Sequence, residues 1–215
     1  TGHGSTFQDL YGNYWNIGTS TISQRHMFER RISLYPTFFD KDGDVYAYTA
    51  WGDYPMIVPD KKISSPQDLF PGWMLLSYKK KVEASSTLEG YPTENAVNED
   101  IRTWWSAKTA DKGEFMTVDL DRNSKPVPAT AQFTELTRNN DNRRTVNLSW
   151  SKVNDATGYN IRFGTQKNKL YHNYLVYEDN KVSINILNTD QTYYFAIDSF
   201  NEAGVTIGKE IKTIQ

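Results

Sequence analysis

An all-β fold is predicted for this 215-residue chain by three observations. Fourteen tyrosines, ten phenylalanines and six tryptophans stand among many Thr, Asn and Asp residues, a mixture that suits pleated, half-buried surfaces. The apolar positions mostly alternate, which is the period of a strand and not of a helix. Turn chemistry then punctuates the strands, most clearly at Gly12 and at Asp42-Gly43. The stretch SSPQDLF, Ser64 to Phe70, offers at most one helical turn, since no apolar stripe continues it.

Taken in order, QDLYGNYW and FDKDGDVY read as two hairpins. They predict four strands near residues 5–10, 13–21, 30–39 and 44–51. Four consecutive antiparallel strands are the content of one propeller blade, and a lone blade exposes both faces of a small sheet, so it needs neighbours. DKDGD, Asp40 to Asp44, begins like a calcium loop. It lacks the glutamate that closes such loops and sits between two strand patterns, so it is read as a hairpin turn.

Composition bounds the rest. Lys and Arg number 24 against 26 Asp and Glu, a net charge of −2, so no basic face nominates nucleic acid and no charged tail nominates a membrane surface. No apolar run approaches the roughly 18 residues of a membrane span. With no cysteine there is no disulfide scaffold and no thiol chemistry, which by itself suits cytosol, periplasm or exterior. The chain opens on Thr1 and not on methionine, so the segment is expected to start inside a longer gene.

The residues also carry resemblances. GHGS, around His3, followed by ERRISLYPTFFDKDGDVY, resembles the fifth and last blade of a family-43 glycoside hydrolase, a five-bladed propeller that cuts arabinose- and xylose-containing polysaccharides. The resemblance implies that His3 faces the central cavity and binds a calcium ion or ordered water. It implies that Arg30, several residues before Leu34 and Pro36, reaches the sugar beside the scissile bond. Read as residues alone, His3 is equally a turn histidine, and Arg30 equally a solvated arginine or the partner of Glu29. Glycoside hydrolysis needs two carboxylates. The family carries its essential acids on the first three blades, so no catalytic residue is assigned here and the chain alone is expected to be inactive.

Residues 82 to 120, containing EASS, EGY, NAVNED, Thr103 and WWSA and ending in FMTVDL, resemble the front of a discoidin, or F5/8 type C, domain. That domain is a jelly-roll β-sandwich common among carbohydrate-binding modules. It implies a structural calcium held by Asn98, Asp100 and Thr103, although Asn98 and Glu99 stand where the family has Asp and Gly. A loop capped locally by the same side chains is the alternative. Trp104 is either an exposed sugar platform or the cover of a domain interface. More than half of the jelly roll has no counterpart. The chain passes into DRNSKPVPATAQF, which predicts an interruption between Asp119 and Pro128 and leaves Phe115, Val118 and Leu120 without a cover.

From Pro128 onward the chain resembles a fibronectin type III domain, a β-sandwich of seven short strands. VNLSW places Trp150 in the core, Leu187 and Tyr193 form the tyrosine corner, Phe195 and Ile197 point inward, and Gly204 closes a turn. Tyr171, His172, Tyr174 and Tyr177 read either as a sugar-binding strip or as ordinary core and surface residues.

The predicted organisation is therefore 1–81, last propeller blade and connecting segment; 82–127, partial discoidin-like carbohydrate-binding segment; 128–215, fibronectin type III domain. By these resemblances the chain is the C-terminal portion of a hydrolase of plant cell-wall polysaccharide, completed by further blades of the same protein and secreted, periplasmic or cell-surface. The alternatives are a non-catalytic carbohydrate-binding or adhesion protein of β-sandwich modules, and a purely structural spacer.

Overall fold

The computed structural model describes residues 4–21, 30–51, 56–70, 74–100, 102–121, 125–185 and 187–215. Within these, every regular element is a strand apart from two short 3-10 turns, Pro66–Leu69 and Thr93–Val97. The chain is all-β.

The first sheet is an antiparallel meander of β1 (Ser5–Gln8), β2 (Tyr14–Thr21), β3 (Arg30–Phe39) and β4 (Val45–Ala47), paired in that order. Its two hairpins use one turn twice. Asp9 accepts hydrogen bonds from the Tyr11 and Asn13 backbone N–H groups, each at 2.9 Å. Asp40 accepts them from Asp42 at 2.9 Å and Asp44 at 3.0 Å. Gly12 and Gly43 follow at φ +84° and +85°, a left-handed conformation that costs glycine little. The aspartate side chain stands in for a backbone acceptor in each turn.

The register puts Phe7 opposite Trp15, Ile17 opposite Leu34, and Thr19 opposite Ile32. With a period of two these apolar residues share one face. Trp15 is buried there beneath Ile63 and Leu69 of the following segment. The cover stops short, and Phe7, Leu34 and Ile32 remain exposed.

The middle of the chain is an excursion closed on itself. Strand β5 (Lys81–Ala84) pairs with β6 (Met116–Asp119), Lys81 opposite Asp119, so its entry and exit lie side by side. Trp105 donates its indole N–H to the Ser86 carbonyl at 3.2 Å. Phe115 and Leu120 are exposed and Val118, named with them, is half-buried on β6. Part of the expected interruption, at residues 122–124, lies outside the described residues.

The C-terminal part is a two-sheet sandwich. One sheet holds β7 (Phe133–Arg138), β8 (Val146–Trp150) and β11 (Lys181–Ile184) in the order β11-β8-β7. The other holds β9 (Gly158–Gly164), β10 (His172–Tyr177), β12 (Tyr193–Asn201) and β13 (Gly204–Thr206) in the order β10-β9-β12-β13, with β14 (Lys212–Ile214) also on β12. Between them lie Leu148, Trp150, Tyr159, Ile161, Leu187, Phe195 and Ile197. The Tyr193 hydroxyl accepts from the Asn188 N–H at 3.1 Å, which is the tyrosine corner the sequence predicts.

The larger sheet is covered over part of its outer face as well as on its inner one. An antiparallel sandwich sheet commonly leaves its outer face to water. Here the outer residues Leu175, Tyr177 and Phe200 pack against Ala50, Trp51, Met74 and Leu75 of the segment that joins the first sheet to the excursion. Outer Asp198 is fully buried too, and Arg162 holds both its oxygens, at 2.8 and 2.9 Å. Gly158 makes room at this junction, because a Cβ there would lie 2.6 Å from the Phe200 ring.

Candidate functional site

Strands β1 and β3 are each antiparallel to β2, so both begin at the same end of the first sheet. Arg30 opens β3 opposite Thr21. Gly4 precedes β1, and a Cβ on it would sit 3.3 Å from the Ile17 carbonyl. His3 and the side chains of Arg30 and Arg31 lie outside the described residues.

The loop carrying Asn98, Asp100 and Thr103 brings these three together by local hydrogen bonds. Asn98 donates through Nδ2 to the Thr103 hydroxyl at 2.9 Å and accepts through Oδ1 from the Asp100 N–H at 2.9 Å. Both Asp100 oxygens are taken by Arg102, at 2.7 and 2.9 Å, and this pairing holds the Asp100 carboxyl below its ordinary range. The oxygen chemistry suits calcium. The arrangement does so only in part, since a guanidinium already neutralises the carboxylate and the Asn98 amide turns its nitrogen toward Thr103. Glu99 sits at φ +60°, the region that favours glycine, and it stands where the discoidin pattern has one.

Aromatic candidates separate once the strands are in place. Trp104 is 38% exposed and lies against Tyr91, ring centroids 5.1 Å apart. The supposed strip on β10 divides between two faces, because side chains alternate. His172 stacks on Phe163 on the inner side, whereas Tyr177 meets Phe200 and Tyr78 at the outer junction. Tyr171, just before β10, lies flat on Tyr46 of the first sheet, centroids 4.0 Å apart at 7°.

Two polar clusters had no counterpart in the sequence reading. The Lys169 ammonium lies 3.1, 3.0 and 2.5 Å from Asp40, Asp42 and Asp44, so the turn read from DKDGD holds a lysine. Asp40 also accepts the Tyr171 hydroxyl at 2.6 Å. That bond, with those from Lys169 and the turn backbone, outweighs partial burial and holds the Asp40 carboxyl far below its ordinary value. Glu114 accepts from the hydroxyls of Ser85, Ser86 and Thr109, which lower it to about 2. The aspartates were visible in sequence, but Lys169 is 125 residues beyond Asp44 and no local pattern points to it. Among the described residues, no grouping of His, Cys, Asp and Glu suited to a metal occurs, and no helix is long and apolar enough to cross a membrane.

No family model matches the chain, and no curated protein matches it. Its neighbours among solved structures are fibronectin type III-like. They include a Fn3-like protein from Clostridium thermocellum, 18% identical, covering 41% of this chain and 92% of that one with a TM-score of 0.37. The fn3 domain of human contactin 1 is 17% identical, covering 46% and 86% with a TM-score of 0.35. The chicken CNTN1 FN1-FN3 domains are 15% identical, covering 53% and 49% with a TM-score of 0.34.

Proposed function

We propose that the chain is the C-terminal portion of a glycoside hydrolase of the family-43 type, acting on arabinose- or xylose-containing plant cell-wall glycans outside the cytoplasm. In this reading the first sheet is the last propeller blade, His3 and Arg30 line one wall of the pocket, and the catalytic carboxylates belong to other blades. One observation carries it. The apolar face of the first sheet runs out from under its cover, leaving Ile32 74% exposed with Leu34 and Phe7 beside it, and a neighbouring blade would bury such a face. The shared starting end of β1 and β3 adds support.

Arg30 would offer a charged hydrogen bond to a sugar hydroxyl or a catalytic carboxylate. In a polypeptide extended upstream to include the other blades, Arg30→Ala is expected to lower kcat/KM about ten- to a hundredfold, the value of one charged hydrogen bond. Retention of full kcat/KM would remove Arg30 from the pocket. A structural calcium at Asn98, Asp100 and Thr103 belongs to the same reading and requires Arg102 to release Asp100. A rise in Tm with millimolar calcium, absent in Asp100→Asn, tests it.

A second reading, a non-catalytic sugar-binding protein of β-sandwich modules, is favoured by the exposed Trp104 beside Tyr91. It requires soluble xylan or arabinan oligosaccharides to quench tryptophan fluorescence in the 215-residue chain and not in Trp104→Ala.

A further inference from the structure

The sheets of an antiparallel sandwich commonly pack one face on the core and leave the other to water. This one departs from that arrangement in two independent ways. Part of the outer face of its larger sheet is covered, with Phe200 fully buried under Trp51 and with Met74 and Leu75 packed into the same cluster. At one end of that face a polar lock reaches back to the first sheet. Lys169, on the loop between β9 and β10, sits among Asp40, Asp42 and Asp44 of the β3–β4 turn. Tyr171 stacks on Tyr46 of β4 and donates to Asp40. Lys79 pairs with Glu178, and Lys80 lies 3.8 Å from Glu202, which ties down the connecting segment as well.

The loop is built for this contact. At Gly164 the backbone of Lys169 passes so close that a Cβ would lie 2.0 Å from the Lys169 carbonyl, so the β9–β10 loop folds back on its own strand and fixes where the lysine emerges. Lys169 and Tyr171 are absent from the sandwich core. Their hydrogen-bonding and ring partners on the sheet side, Asp40, Asp42, Asp44 and Tyr46, belong to the hairpin that begins with Arg30.

We propose that the sandwich is a clamp for the first sheet: its outer face and the Lys169–Tyr171 loop hold the β3–β4 hairpin folded. The first sheet's other cover is the small cluster of Ile63 and Leu69 over Trp15 and Phe38. Its β1 edge is exposed along its whole length, one stretch of its apolar face is open, and small isolated sheets are marginal in water. The clamp is a property of this chain alone and stands whether or not the protein is a hydrolase.

Amide hydrogen exchange on the full 215-residue chain tests it, because local opening is read segment by segment. Two variants break the lock from opposite sides, Lys169→Gln with Tyr171→Phe on the sandwich, and Asp42→Asn with Asp44→Asn on the turn. Both are expected to raise exchange of the amides of residues 32–39 and 45–47 by about tenfold or more, while those of β8 keep their wild-type protection. Hairpin exchange within about twofold of wild type in both variants overturns the clamp. So does an equal rise in β8, since Lys169 would then be stabilising the sandwich itself.

Discussion

The indole of Trp51 meets the ring of Phe200 edge-on, centroids 5.0 Å apart at 79°. One residue belongs to the segment leaving the first sheet and the other to the outer face of the sandwich, and both are buried. This pair is the apolar centre of the junction, with Gly158 behind it.

Removing the indole leaves a cavity that the packed sheet cannot close. Trp51→Ala is expected to cost about 3–5 kcal/mol in guanidinium unfolding. Gly158→Ala fills space already taken by Phe200 and should cost about 1–3 kcal/mol. A loss under about 1 kcal/mol in both variants would mean that the junction is open to solvent.

Glu99 holds a left-handed conformation that costs a non-glycine residue roughly 1–2 kcal/mol. Part of that returns through the extra freedom glycine has when unfolded. Glu99→Gly should therefore gain up to about 1 kcal/mol and unfold at a higher Tm than Glu99→Ala, which loses the carboxylate but keeps the strain. The reverse order would show that the left-handed strain at position 99 costs less than the extra unfolded-state freedom of glycine.

Asp9 and Glu114 set part of the acid limb. Partial burial opposes ionisation of Asp9, but hydrogen bonds from Trp15, Asn13 and Tyr11 prevail and lower it from 3.8 to about 2. Glu114 falls from 4.5 to about 2 under its three hydroxyl donors. Folded carboxyls more acidic than unfolded ones stabilise fully above about pH 5, and that stabilisation is lost as pH falls toward 2. Tm should drop over this window, and less steeply in Asp9→Asn. An unchanged slope in the variant would exclude Asp9 from the acid limb.

The 215-residue chain by itself is expected to turn over no aryl arabinoside, aryl xyloside or arabinan. The two carboxylates that such hydrolysis needs belong, in the reading proposed above, to other blades; among the described residues Asp40, Asp42 and Asp44 are paired with Lys169 and Asp198 with Arg162. Rates above buffer that vanish with one Asp or Glu substitution would place a catalytic pair within this chain.

The hairpins of the first sheet were legible because their causes are local. Alternation and the turns at Gly12 and Asp42-Gly43 predict strands near 5–10, 13–21 and 30–39, and the structure has Ser5–Gln8, Tyr14–Thr21 and Arg30–Phe39. The last strand is Val45–Ala47 and not 44–51, because Tyr48, Ala50 and Trp51 are apolar for the junction and not for the sheet. Trp150, Leu187, Tyr193, Phe195 and Ile197 entered the sandwich core as read, since a period of two specifies which residues share a face. It does not specify what lies on that face. The sequence by itself determined the strands, the turns and the inner side of the sandwich. Only the tertiary structure decided that Phe200 and Asp198 are buried on the outer side, that the aromatics around β10 serve two surfaces, and that Asp40 to Asp44 hold Lys169. Those outcomes depend on segments more than a hundred residues apart meeting in space, and no spacing within either segment encodes the meeting.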